Sequence, residues 1–309
     1  YAARDARLRV FRNDENLRLA RSLNRGISLA AGKYILRMDA DDICLRDRLE
    51  KQYAYMERHP DTDVSFCKFF TLQNGEITPC AVGRACDADS IRAMFLFFCP
   101  VLHPGVIVRA DTFGRYAYDP AHTCSEDLDL WTRMLCDGAK ITCSGDYLLL
   151  YRLHDGQITA TTTEKQRREV LESERAFYRA TLAAMTDRQA DFYIDGLYFR
   201  NCPDKEQMLS FYRHIRAANR KTRQFLPRAV VGAMEEVLAE YRRAGVFGLR
   251  DLPYLVRFGG LRLAAAVCRR KRQSRRDIAA AARAAGAAGL ARRGTRGKLP
   301  VYAWGDANA

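Results

Sequence analysis

Through the first 151 positions, short unbroken apolar runs alternate with segments whose apolar residues recur every three or four positions. Runs of the first kind suit strands, and spacing of the second kind suits helices. Leu8–Arg12 reads as a short strand and Asn13–Asn16 as a turn or cap. Leu19, Leu23, Ile27 and Ala30 mark a helix over 17–31, which Gly32 ends. Tyr34–Met38 is a second strand. Leu45, Leu49, Tyr53 and Met56 predict a helix over 45–58 with these four on its apolar face, stopped by His59-Pro60. Val64–Leu72 and Glu76–Pro79, separated by Asn74-Gly75, predict a β-hairpin. Asp89–Phe98 is a short helix, Cys99–Pro104 a loop and Gly105–Arg109 a strand. Ser125–Cys136 is a helix closed by Gly138, and Ile141–Ser144 and Leu148–Tyr151 are two further strands. This alternation predicts an α/β sheet. From Thr163 to Arg243 the spacing becomes all-helical, with one apolar stripe through Val170, Leu171, Phe177, Tyr178 and Leu182 and another over Ala229–Tyr241. After Gly248 the chain is rich in Arg, Ala and Gly, and Arg283–Lys298 reads as low-complexity and mobile.

With 309 residues, 48% of them hydrophobic, the chain can bury a sizeable core and has room for about two domains. Its net charge of +14 is unevenly spread. Asp251–Ala309 holds 13 basic and 3 acidic residues, a net of +10, which leaves 38 basic and 34 acidic before it. The body is therefore balanced, the excess belongs to the tail, and no specific nucleic-acid partner is expected. The ten cysteines never fall as Cys-x-x-Cys, and no Cys/His grouping has zinc-finger spacing. A reducing, cytoplasmic setting follows. No run of ~18 apolar residues could cross a bilayer. Tyr254–Cys268 is apolar but interrupted by Arg257 and Arg262, and Arg269-Arg270-Lys271-Arg272 follows at once. Such a segment suits the inner face of an anionic membrane; a solvated tail or unspecific contact with nucleic acid accounts for the same pattern.

The most concentrated chemistry lies at the end of the Tyr34–Met38 strand. Asp39, Asp41 and Asp42 place three carboxylates within four residues, where open α/β sheets collect their ligands. Packed acids repel one another unless a cation neutralises them, and hard divalent ions such as Mg²⁺ or Mn²⁺ suit carboxylate oxygens and phosphates alike. A helix cap accounts for one such Asp but not for three. Ser125-Glu126-Asp127 opens an apolar helix, where carboxylates are favoured in any case. Tyr151-Arg152-Leu153-His154 places a lone histidine just past a strand.

In this order the pieces resemble the family 2 glycosyltransferases of GT-A fold. The matching residues are Asn16–Ile27, Ala31–Ile35, Asp39-Ala40-Asp41-Asp42, His103-Pro104-Gly105, Glu126–Trp131, Tyr151–His154 and Gln157–Thr159. The resemblance implies an α/β, Rossmann-like and mostly parallel sheet with helices on both faces. It implies transfer of a sugar from a nucleotide-sugar donor, UDP being the commonest nucleotide in the family, to a hydroxyl of a glycan or lipid-linked acceptor, as in bacterial cell-surface polysaccharide synthesis. Asp39 and Asp41 would form the Asp-x-Asp element that binds Mn²⁺ or Mg²⁺ and the diphosphate, with His154 as a further metal contact. Asp127 would be the general base of an inverting displacement, and Glu126 would orient the acceptor. Arg21, Asn24 and Gly26 would line the nucleotide side, and Gly105 would let the backbone approach a substrate closely.

The expected organisation is a catalytic domain over 1–160, a helical accessory region over 161–248 and a basic, partly disordered tail over 249–309. The family also begins with a strand ending near Pro-x-Tyr-Asn and a second ending in Asp-Asp-Gly-Ser, and neither motif precedes Leu8. The segment is therefore expected to lack roughly 40–60 residues of a βαβ unit, to leave Leu8–Phe11 without a neighbour, and alone to be poorly folded and inactive. Two other classes compete. A basic membrane-surface or nucleic-acid module accounts for the tail but not the acids, and a nucleotidyltransferase would need a phosphate loop that is absent here.

Overall fold

The computed structural model describes residues 1–80, 87–154, 157, 164–194, 205–243, 256, 278–296 and 299–304. In chain order the elements begin with α1 (Arg18–Leu29), β1 (Tyr34–Leu36), β2 (Ile43–Cys44), α2 (Arg48–Arg58), β3 (Val64–Gln73) and β4 (Glu76–Pro79). Next come α3 (Ala88–Met94), a 3₁₀ turn (His103–Gly105), β5 (Val106–Arg109), α4 (Ala110–Arg115), α5 (Glu126–Cys136) and β6 (Ile141–Arg152). The helices α6 (Glu164–Thr181), α7 (Asp187–Asp191), α8 (Lys205–Thr222) and α9 (Pro227–Arg243) follow, and β7 (Leu290–Arg296) and β8 (Leu299–Trp304) complete the series. Asn74 and Gly75, at φ 52° and 79°, turn β3 tightly into β4, because this left-handed pair matches the twist of the flanking strands.

β3 is the centre of the sheet. β6 lies along one edge of it with β2 beyond, while β5 and β4 share the other edge, β5 leading to β1 and β4 to β8 and β7. The α/β class agrees with expectation, but the sheet is mixed rather than mostly parallel. β1, β3 and β6 run the same way, yet only β3 and β6 pair in parallel. β5 is inserted antiparallel between β1 and β3, and a tight turn makes β4 antiparallel as well. Two further expectations are corrected. Ile141–Ser144 and Leu148–Tyr151 form one strand, which bends at Gly145 (φ 83°) where its register against β3 shifts around Lys68. Leu8–Arg12 is no strand: it has no ladder partner, and Leu8, Val10 and Phe11 are exposed.

One hydrophobic cluster joins sheet and helices. Val64, Phe66, Val106, Val108 and Ile141 meet Met94, Trp131 and Met134, and the same cluster continues through Val170, Phe177, Tyr212, Val230 and Met234. The helical region thus shares its core with the sheet. The 278–304 segment also departs from expectation. Residues 278–287 are helical, and β8 pairs with β4 at Ile77↔Tyr302. Ala281, Ala285, Leu290 and Tyr302 bury themselves against Phe70, Leu72, Ile77 and Leu150. The alanines that read as low complexity supply the flat face of that packing. Among the described residues no helix is long and apolar enough to cross a membrane; Tyr254 and Arg269–Arg272 lie outside them.

Candidate active site

Between β1 and β2, the residues Arg37–Asp42 carry the chain from one flank of β3 to the other. Both ends are fastened. The Arg37 N–H donates to Val106 O (3.2 Å) and the Leu45 N–H to Leu148 O (3.1 Å). On this bridge, carboxylate oxygens of Asp39, Asp41 and Asp42 lie within 4.8 Å of one another.

Each acid has a different neighbour. Arg37, 11% exposed at its side chain, grips Asp39 with both guanidinium nitrogens at 2.5 and 2.7 Å. Burial nevertheless outweighs this cation and raises the Asp39 carboxyl. Asp41 meets the His154 Nε2 at 2.9 Å, and this bond lowers its pKa. Asp42 is buried. Its Oδ1 accepts the Arg152 N–H (3.0 Å), while its Oδ2 has no partner. Desolvation, with repulsion from Asp39 and Asp41 adding to it, pushes Asp42 up to about 6. Asp42 is therefore no helix cap: it ties the end of β6 to the acidic turn, and this tie brings His154 to Asp41. Three clustered oxygen donors, one of them a buried orphan, with an imidazole beside them, fit a hard divalent cation.

The second group sits at the start of α5. Glu126 is buried, and the Asp127 side chain is 30% exposed. The Asp127 Oδ1 accepts the Leu128 N–H (2.8 Å). His103 Nδ1 faces both carboxylates, 3.9 Å from Glu126 and 4.0 Å from Asp127, and its Nε2 meets the Tyr118 hydroxyl at 2.7 Å. Burial, then the positive charge of Arg37, holds the imidazole well below its usual pKa, so it is neutral. The Tyr118 phenol is raised by burial and stays protonated. Desolvation and the charge of Asp127 push Glu126 up to about 7. Asp127 is raised by burial, against the pull of the Leu128 N–H and Arg37; the Asp39 charge adds to the rise. The charges of Arg37 and Asp39 thus bear on Asp127, so the two groups lie near enough to influence each other.

α2 locks these groups together. The buried Arg48 donates through Nη2 to Arg37 O and Pro104 O, both at 2.8 Å, and through Nε to Gln52. Gln52 donates in turn to Gly105 O (2.8 Å). The sequence pattern turned this helix the wrong way: Leu49 and Tyr53 are 63% and 53% exposed, while Arg48 and Gln52 point inward beside Met56. A charged residue on a buried face is rare unless it is paired, and the i, i+4 spacing of Arg48 and Gln52 was the available signal.

Of the remaining candidates, Asn24 clamps α1 to the Tyr118 backbone, donating to its O (2.8 Å) and accepting from its N–H (3.0 Å). Arg21 and Gly26 are exposed on α1. At Gly105, a Cβ would meet the Cys67 sulfur at 3.1 Å, so the close approach is to β3. Arg37, Tyr118 and Arg48 were not singled out from the sequence, and His103 was matched only within His103-Pro104-Gly105, with no role of its own.

Comparison with known proteins gives a consistent grouping. The family model described as glycosyl transferase family 2 matches residues 1–77. An uncharacterized glycosyltransferase of Methanocaldococcus jannaschii is 32% identical over 168 residues, covering 54% of this chain and 58% of that protein. The amylovoran biosynthesis glycosyltransferase AmsE of Erwinia amylovora is 27% identical, covering 60% and 67%. A crystal structure of S. aureus TarS 1–349 in complex with UDP-GlcNAc aligns over 93% of this chain and 80% of its own, with 15% identity and a TM-score of 0.42. The chain spans little more than half the length of the first of these relatives.

Proposed function

We propose that this chain is a glycosyltransferase of family 2, on the match of that family's model to residues 1–77 and its likeness to known glycosyltransferases, and that it transfers a sugar, with inversion, from a nucleotide-sugar to an acceptor hydroxyl. The donor proposed is a UDP-sugar, and the acceptor a hydroxyl of a surface glycan or its lipid-linked precursor. What supports this reading is an oxygen-rich cation site at Asp39, Asp41 and Asp42 and, tied to it through the bonds of Arg48 to Arg37 O and Pro104 O, a carboxylate pair raised towards neutral pH.

Asp39, Asp41, Asp42 and His154 would hold Mn²⁺ or Mg²⁺, which when bound supplies a Lewis acid for the leaving diphosphate. The rest falls to the chain's own residues. Asp127 accepts the proton of the acceptor hydroxyl as that oxygen attacks the anomeric carbon from the face opposite the nucleotide. Its raised pKa brings it closer to working pH, where a general base is most effective. Glu126, protonated over part of the neutral range, can donate a hydrogen bond and orient the acceptor. Neutral His103 separates the two carboxylates from Tyr118 without adding a charge that would pull Asp127 down. One base suffices for a single displacement, and no covalent nucleophile is required.

The test needs no known acceptor. A panel of UDP-sugars is incubated with the full protein with and without Mn²⁺, and the first-formed anomer of the released sugar is read by NMR. Metal-stimulated release of the inverted anomer is expected, and Asp127→Asn should lower kcat by roughly 10²–10⁴-fold while UDP still binds. A retained anomer, or full activity in the variant, would refute the assignment.

A further inference from the structure

One side chain of α6 reaches back to the start of α5. Glu169 is 7% exposed, and its carboxylate accepts four hydrogen bonds from the turn that leads into that helix. The Thr123 and Cys124 N–H groups donate at 3.0 and 2.9 Å, and the Thr123 and Ser125 hydroxyls each at 3.3 Å. Ser125 is the N-cap of α5, where a serine oxygen ordinarily accepts an N–H from the first helical turn. Here it caps nothing, because its hydroxyl is turned onto Glu169. Asp127 takes the Leu128 N–H in its place. Burial tends to raise the Glu169 pKa, but the N–H groups of Cys124 and Thr123 outweigh it, with Lys165 and His122 contributing, and the carboxylate lies below its usual range. It therefore stays ionised while Glu126 and Asp127, just beyond, are raised.

We propose that Glu169 is a positioning residue for the transfer reaction: by holding residues 123–125 it fixes where Glu126 and Asp127 stand relative to the acceptor. The inference rests on the proposed transfer activity, and it gives the helical region a function at the site. The carboxylate's negative charge strengthens the two backbone bonds, which share Oε2; an amide would lose that charge and put a nitrogen where Oε1 accepts the Thr123 hydroxyl.

The experiment compares wild type, Glu169→Gln and Glu169→Asp as full chains, using the UDP-sugar that wild type hydrolyses. E169Q should lower kcat by roughly 10- to 100-fold, the scale set by small misplacements of a reacting group. UDP affinity measured calorimetrically with Mn²⁺ should be unchanged, and the rising limb of the kcat–pH profile, which reports Asp127, should be displaced. E169D should recover part of the loss. An unaltered kcat and pH profile in E169Q would overturn the proposal. So would equal losses in both variants that merely track melting temperature. Should E169Q not fold, Ser125→Ala with Thr123→Val removes two of the four bonds from the other side and is read in the same way. If wild type hydrolyses no UDP-sugar, the transfer reading fails by itself, and amide exchange decides the positioning. Faster exchange over 123–128 in a folded E169Q supports it, and unchanged exchange overturns it.

Discussion

The acidic turn and the start of α5 both crowd carboxylates, yet they are built to opposite ends. In the turn, nitrogen donors stand against the acids: Arg37 lies on Asp39 and His154 on Asp41, and Asp41 is 41% exposed. At α5 the nearest ring is a neutral, buried His103, and Glu126 is pushed up to about 7. In the turn only Asp41 is lowered, while burial and mutual repulsion raise Asp39 and Asp42, a repulsion a bound cation would relieve; at α5 both carboxylates are raised beside a neutral ring. The difference lies in what surrounds each group, since both are built from carboxylates.

The sharpest way to break this comparison is to neutralise one member of each group. Asp41→Asn should weaken Mn²⁺-dependent UDP binding by roughly 10–100-fold, the range seen when a metal ligand or its support is lost. Asp127→Asn should leave that binding unchanged while abolishing turnover. Calorimetry on both variants checks this, and equal binding losses would erase the distinction. A smaller effect is expected where the groups are tied together. Arg48→Met removes the donors to Arg37 O and Pro104 O and leaves both carbonyls unpaired. It should cost about 2–4 kcal/mol in urea unfolding, and a change under about 0.5 kcal/mol would show the tie to be dispensable.

The smallest effect is on pH dependence. Glu126 carries a folded pKa of about 7 against an ordinary 4.5, so between these values the folded state binds more protons than the unfolded one. Its contribution to stability is fully present below about 4.5 and is lost as pH rises through 7. Glu126→Gln should therefore match wild type near pH 4.5 and melt roughly 2–4 °C higher at pH 8, equivalent to about 1 kcal/mol in a protein of this size. A gain that is larger at low pH would reverse the assignment.

Much of the scaffold could be read from local pattern. Asn74-Gly75 marks its hairpin by backbone preference alone, and Ser125 with the apolar spacing behind it marks α5. The Asp39–Asp42 run stood out because three acids at a strand end exceed what a cap needs, whereas Glu126-Asp127 sits where acids are common and drew its reading from the family resemblance alone. What escaped depends on contacts between distant positions. Arg48 and Gln52 occupy the buried face of α2 because the carbonyls of Arg37, Pro104 and Gly105 need donors there, and within the helix only their i, i+4 spacing hints at it. Arg37 looked like one polar residue in an apolar strand, His103 like a loop residue, and Glu169 like an ordinary charge on an amphipathic helix. Leu8–Arg12 had strand-like residues but no ladder to join, and β6 looked divided because Gly145 and Asp146 interrupt its apolar run.

The hairpin of β7 and β8 on β4 has a consequence for synthesis. Phe70, Leu72 and Ile77 are made well before Ala281, Ala285 and Tyr302, which lie about two hundred residues further along the chain and cover them. Until then an apolar sheet margin stands open, the kind of transient surface that invites association between nascent chains. Holding that margin safe during translation becomes a task for chaperones or for rapid synthesis of the stretch that covers it, and deletions within 278–304 would prolong the exposure.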